Sequence, residues 1–220
     1  DSATLRENVV ALARNIGYTP RSTTAAKAIV SFFVDTSGFT TKPVTLTLKK
    51  GVVATSASVF GSESYAFAIP SDVTVPIVDG IATFRDVVIY EGTYLTTNFT
   101  VSSENPAPPT KYILENANID TSTLEVGVRD TQASTTSKKF VFSDTLIEVT
   151  DKSRVYFLQE IDDQRYELIF GDGVFGEALK SLNFIEVSYI TSSGSAANNI
   201  SSFSFNGRIV DNNNNLVSAG

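Results

Sequence analysis

The chain has 220 residues, none of them His, Cys, Trp or Met, and a formal net charge of −7. Without His or Cys there is no imidazole base, no Ser-His-Asp triad, no thiolate nucleophile, no disulfide and no Cys-bound metal. The acidic balance argues against a nucleic-acid surface, which needs clustered Lys and Arg, and no apolar run reaches the roughly 18–20 residues of a membrane-spanning helix. Hydrophobic residues at 42% and charged residues at 19% describe a globular rather than a disordered chain. A chain without Met is expected to be a piece of a longer protein.

In chain order, residues 1–21 read as a helix and turn. Leu5, Val9, Leu12 and Ile16 recur on one helical face. Gly17 suits the left-handed position after the last turn, and Pro20 stops continuation. From Lys27 the pattern becomes short runs of period two. Val44, Leu46 and Leu48 are expected on one strand face, with Thr45 and Thr47 on the other. Asp79-Gly80, between Val73–Val78 and Ile81–Tyr90, is a two-residue hairpin signal. Glu91-Gly92 leads into another alternating segment from Tyr94 to Ser102.

Residues 105–110, with Pro106, Pro108 and Pro109, are the expected linker, because Pro cannot join a central strand. The second half restarts at Leu124, Val126 and Val128 and continues through Val155–Ile161, Tyr166–Phe170 and Phe184–Ile190. The expected architecture is mainly β with a short N-terminal helix (α+β). It has two antiparallel β domains, at 22–104 and 111–220, joined by the Pro-rich linker.

Gly171, Gly173 and Gly176 satisfy a G-x-G-x-x-G dinucleotide pattern. That chemistry needs a helix opening at the glycines inside a βαβ unit of about 30 residues. Only Glu177–Leu182 separates the pattern from the next strand-like run, so a structural turn is expected. Glu160, Asp162, Asp163 and Glu167 are candidate paired carboxylates for glycoside hydrolysis, yet Asp162-Asp163-Gln164 reads first as a solvated hairpin tip. Neither Asp35–Gly38 nor Asp211–Asn215 matches a calcium loop ending in Glu, and the Asn run is expected to be flexible or a tight turn. Lys49-Lys50 and Lys138-Lys139 are expected at solvated strand ends.

The segment Tyr166–Gly176, with Phe170-Gly171-Asp172-Gly173 and Gly176, followed by Asn183–Tyr189 and the loop Ser192–Asn199, resembles the signature of the baseplate J-like family of contractile phage tails. The stretch Gly17-Tyr18-Thr19-Pro20-Arg21 is similar to a turn in the wedge subunits of T-even-type tails. Asn183 stands where the family often has Gly, and Ala197 interrupts its usual glycine pair. The resemblance implies a structural motif built on Phe170, Gly171, Asp172, Gly173, Gly176 and Tyr189, with Gly17, Tyr18, Pro20 and Arg21 at the N-terminus. It implies a virion component that pairs with itself, as a homodimer, and with other baseplate wedge proteins. No catalytic residue, cofactor, metal, nucleic acid, membrane or small-molecule substrate is expected. The alternative from another class is a carbohydrate-binding or glycan-degrading β module of a phage tail.

Overall fold

The computed structural model describes residues 22–56, 64–102, 104 and 111–217. The expected helix and turn at 1–21 and the linker at 105–110 lie outside them. The described chain is mainly β and forms two sheets.

One unit comprises Thr24–Leu95 with residues 190–217. Its strands are β1 (Lys27–Asp35), β2 (Thr45–Leu48), β3 (Gly51–Ser56), β4 (Ala66–Ile69), β5 (Val73–Val78) and β6 (Ile81–Glu91). Far along the chain follow β14 (Phe203–Phe205), β15 (Ile209–Asp211) and β16 (Leu216–Val217). The sheet runs β14-β3-β4-β6-β5-β2-β15-β16, with β1 on β6. Asp79 and Gly80 link β5 to β6 with φ of 50° and 80°, as a two-residue turn between right-twisted strands requires.

β6 organises this unit. It pairs with β1 from Ile81 to Tyr90, with β5 near its start and with β4 near its end. Ala82 and Phe84 point inward, and so do Val87, Ile89 and Glu91. The change of parity is absorbed by a bulge, where the β1–β6 register shifts between Val30 and Phe32. Asp86 there has φ of 52°, and its N–H donates to Ser31 Oγ at 3.0 Å. The extra residue keeps the apolar side chains on one face. They pack with Leu46, Leu48, Val53, Phe67, Ile69 and Ile209, and Phe32 stacks on Phe84 at 4.7 Å. Leu46 and Leu48 are buried as expected, but Val44 is exposed. It precedes β2, where its backbone bonds Ile77 and the Asn212 side chain instead.

The other unit comprises residues 22–23 with Thr96–Tyr189. Its sheet runs β7-β13-β9-β10-β11-β12-β8: β7 (Thr93–Thr100), β8 (Tyr112–Leu114), β9 (Ile119–Arg129), β10 (Ser137–Phe142), β11 (Val155–Glu160), β12 (Tyr166–Phe170) and β13 (Phe184–Thr191). Ile185 and Val187 of β13 are fully buried, and so are Ser188 and Tyr189 beside them, so the strand is covered on both faces.

Two features differ from the sequence-based expectation. β10 and β11 are parallel, so this sheet is mixed rather than wholly antiparallel. Residues 143–154 form the crossover, the length that a parallel connection demands. The units also do not follow one another along the chain. The chain passes from one to the other within β7, between Leu95 and Thr96, and returns within β13, between Tyr189 and Ile190. Residues after 190 therefore complete the sheet of the first unit rather than ending a second domain.

Replacing Phe84 removes both a fully buried ring and its stack on Phe32. Phe84→Ala is expected to cost about 3–5 kcal/mol, measured by urea unfolding of the 220-residue chain.

Candidate functional site

The motif residues fall at the end of β12. Tyr166 and Leu168 are buried, and Phe170 meets Tyr112 and Phe140 edge-on at 5.4 and 5.7 Å. These contacts anchor the strand where the glycines begin. Gly171 forms a bridge to Ala178, so the chain loops out and comes back beside itself. The loop is closed by Gly173 N–H donating to the Gly176 carbonyl at 3.0 Å. A Cβ on Gly171 would overlap the Gly176 backbone. Gly173 and Gly176 instead need their φ of +89° and +97°, a region costly for other residues.

Asp172 organises the tip. Its Oδ1 accepts the N–H groups of Val174 and Phe175, each at 2.9 Å. These bonds, Phe175 first, hold the carboxyl below its ordinary value of 3.8. The loop is docked on the crossover by Gly176 N–H to the Thr150 carbonyl at 3.0 Å and Glu177 N–H to the Ser153 carbonyl at 2.8 Å. Arg154 Nε adds a bond to Glu177 Oε2 at 3.0 Å.

This geometry does not suit a pyrophosphate. A phosphate cradle needs free backbone N–H groups at a helix start. Here those of Gly173, Val174, Phe175, Gly176 and Glu177 are all taken within the unit, and no helix follows the glycines. Beside the exposed Asp172, the loop presents two apolar side chains: Val174 is 64% exposed and Phe175 half-exposed. On the crossover to which it is bonded, Leu146 and Ile147 are also exposed, Ile147 at 77%. Such tips suit protein contact.

The candidate carboxylates are divided between the hairpin tip and the two strands that lead to it, with Glu167 on β12 opposite Gln159. Asp162 and Asp163 sit at the exposed hairpin tip between β11 and β12, closed by Ile161 N–H to the Arg165 carbonyl at 2.8 Å. Arg165 reaches Glu115 at 2.7 Å and Asp163 at 3.9 Å. Glu160 is buried at the end of β11, opposite Tyr166. Among the described residues no group of three or more acidic side chains is placed to hold a metal ion. The Asn run is a tight turn: Asp211 Oδ1 accepts the Asn213 and Asn215 N–H groups at 2.8 Å each, and Asn214 has φ of 64°. Lys49 pairs with Asp72, Lys138 with Asp130 and Lys139 with Glu125.

Tyr189 is fully buried. Its hydroxyl donates to Asn116 Oδ1 at 2.6 Å and meets Thr97 Oγ1 at 2.9 Å, which ties β7 to β13. The left-handed residue before β13 is Leu182, with φ of 67°, and not Asn183. Asn183 is buried and acts through its side chain, accepting from Lys180 N–H at 2.8 Å and donating to the Arg129 carbonyl at 3.3 Å. Gly17, Tyr18, Pro20 and Arg21 lie outside the described residues.

Sequence reasoning missed Glu91. It is buried in β6, where it accepts from Ser192 Oγ at 2.7 Å and from Ser193 Oγ at 2.6 Å. These bonds hold the start of the Ser192–Asn199 loop, and Ala197 packs in the core beyond it. An acidic residue at an inward position of a strand, where its neighbours are apolar, was the available signal.

Gly171→Ala and Gly173→Val are each expected to lower stability by about 1–3 kcal/mol, while Val174→Ser at the exposed tip changes it by less than about 0.5 kcal/mol; urea unfolding of the three variants checks this. Because folding lowers the Asp172 pKa, the stability it contributes is complete above its unfolded value and is lost as the pH falls through the folded one. The melting-temperature gap between wild type and Asp172→Ala should thus hold from pH 7 to about 5 and close below about pH 4. A gap that persists at about pH 2 would contradict this role. No family model matches the chain, and no curated protein matches it.

Proposed function

We propose that the chain is a structural piece of a contractile-tail baseplate wedge, acting through protein–protein contacts in the virion. The observation that carries this reading is the closed loop Gly171–Gly176. Its N–H groups from Gly173 to Gly176 are bonded within the loop or to the crossover, and its tip offers Val174 and Phe175 to solvent. A loop of this kind fixes a shape and presents an apolar surface; it has no free donor set for a small anionic ligand.

The resemblance of the same residues to the baseplate J-like signature supplies the assembly. The partners are further copies of the chain and other wedge proteins around the tail hub, and no catalytic step is required. The glycan reading calls for an aromatic platform or a cleft holding paired carboxylates. The cleft of about 440 Å³ beside β1 is lined by Val30, Phe32, Val53, Phe203 and similar apolar groups, together with serines. No carboxylate lines it, which weighs for the structural role.

Co-expression with the products of neighbouring genes, followed by size exclusion and mass spectrometry, tests the reading. The chain is expected to co-purify with a second wedge protein. Val174→Glu combined with Phe175→Glu should reduce that incorporation by at least about tenfold while leaving the melting temperature unchanged. Saturable binding to a glycan array, with no co-purifying tail protein, would overturn it.

A further inference from the structure

Among the described residues, the longest strand at a sheet edge is β1; Ser201, Ser202, Phe203 and Phe205 line the cleft beside it. Among the described residues its nine residues pair on one side only, with β6. Folded proteins usually guard such an edge with a Pro, a bulge in the edge strand or a mid-strand charge. β1 has none of these: its register shift is taken up in β6, and its only charged residues are Lys27 and Asp35 at its two ends. In between, its outward face carries Ile29, 69% exposed, and Phe33, 68% exposed, on either side of Ser31.

The backbone direction follows from two bonds at the strand's ends. Glu91 N–H donates to the Ala26 carbonyl and Thr36 N–H donates to the Gly80 carbonyl, both at 2.8 Å. Partners alternate along an antiparallel strand, so the even-numbered residues of β1 turn their N–H and C=O groups to β6. Lys27, Ile29, Ser31, Phe33 and Asp35 turn theirs to the open edge. These are also the exposed residues of the strand.

We propose that two copies of this chain join by antiparallel pairing of their β1 edges about a two-fold axis at Ser31. In that register Lys27 lies opposite Asp35 of the partner subunit and Ile29 opposite Phe33 of the partner subunit, and each pair is then counted twice by symmetry. Every residue that faces the partner is one whose backbone groups point to the open edge. Moving the axis by one residue sets Lys27 against an apolar Phe33, or Asp35 against an apolar Ile29, and leaves both charges without an opposite charge across the seam. Charge complementarity therefore selects both the occupant, a second copy, and the register. That a second copy is the occupant also rests on the wedge reading, while the edge and the register stand on the geometry of β1; a chain that co-purifies with a second wedge protein but does not pair through β1 would leave that reading standing.

Analytical ultracentrifugation of the 220-residue chain, with circular dichroism to confirm folding, decides the matter. Wild type is expected to dimerise. Lys27→Glu sets like charges opposite each other twice, and so does Asp35→Lys; each should weaken the dimer by at least about tenfold. An equimolar mixture of the two variants restores both opposite-charge pairs, so a heterodimer should form where neither variant self-associates. Ile29→Lys, which breaks both apolar cross-strand pairs that flank the axis, should also give monomer. A wild type that stays monomeric to about 100 μM, or a dimer that neither Lys27→Glu nor Ile29→Lys weakens, overturns the proposal.

Discussion

A strand that must bury one face along eleven residues, while bonding three neighbours, has little freedom in where its side chains fall. β6 is under that constraint. A strict two-residue alternation from Ala82 would carry Asp86 and Val88 to the core and put Val87 and Ile89 in water. One extra residue at Arg85–Asp86 reverses the parity midway, and the Ser31 hydroxyl receives the N–H group that the bulge sets free. Phe84 and Ile89 then share one interior. The same parity sets Glu91 inward, where the serines after β13 must come to it. β1 takes its register from β6, and with it the division between residues that face the core and those at the open edge.

The motif loop achieves rigidity by a different route. It has no buried apolar core of its own, since its tip is exposed. Local hydrogen bonds replace that core: a carboxylate over two amides, a carbonyl closing on Gly173, and two bonds to the crossover. Glycine is needed at Gly171 because another strand of backbone occupies the space where a Cβ would sit. That need differs from the left-handed conformation of Gly173. A sequence pattern that also serves nucleotide binding is here satisfied by a fold in which the N–H groups from Gly173 to Glu177 all have protein acceptors.

Legibility in the sequence followed the range of the interaction. Asp79-Gly80 could be read because a two-residue turn is decided by the φ of those two residues alone. β12 could be read from Tyr166 to Phe170 because alternation and a following glycine bound it, and Asp172 because an Asp side chain reaches amides two and three residues on. Val44 was misplaced because alternation does not show where a strand begins. Left-handed Leu182 gave no signal, since its conformation is imposed by Asn183 bonding back to Lys180 and across to Arg129. Which strands neighbour one another was not legible either. The partners of β14 and β15 lie about 150 residues earlier in the chain, and local patterning carries no record of such pairings.

The return of the chain after Tyr189 has a consequence for synthesis. β2 and β3 emerge early, but their partners β15 and β14 follow only about 150 residues later. The sheet of residues 96–189 holds all its strands before residue 203 leaves the ribosome. Apart from residues 22–23 it is a continuous insertion, entered and left through the neighbouring strands β7 and β13. During translation the host half-sheet must therefore wait with its β2 and β3 edges open while the guest completes itself.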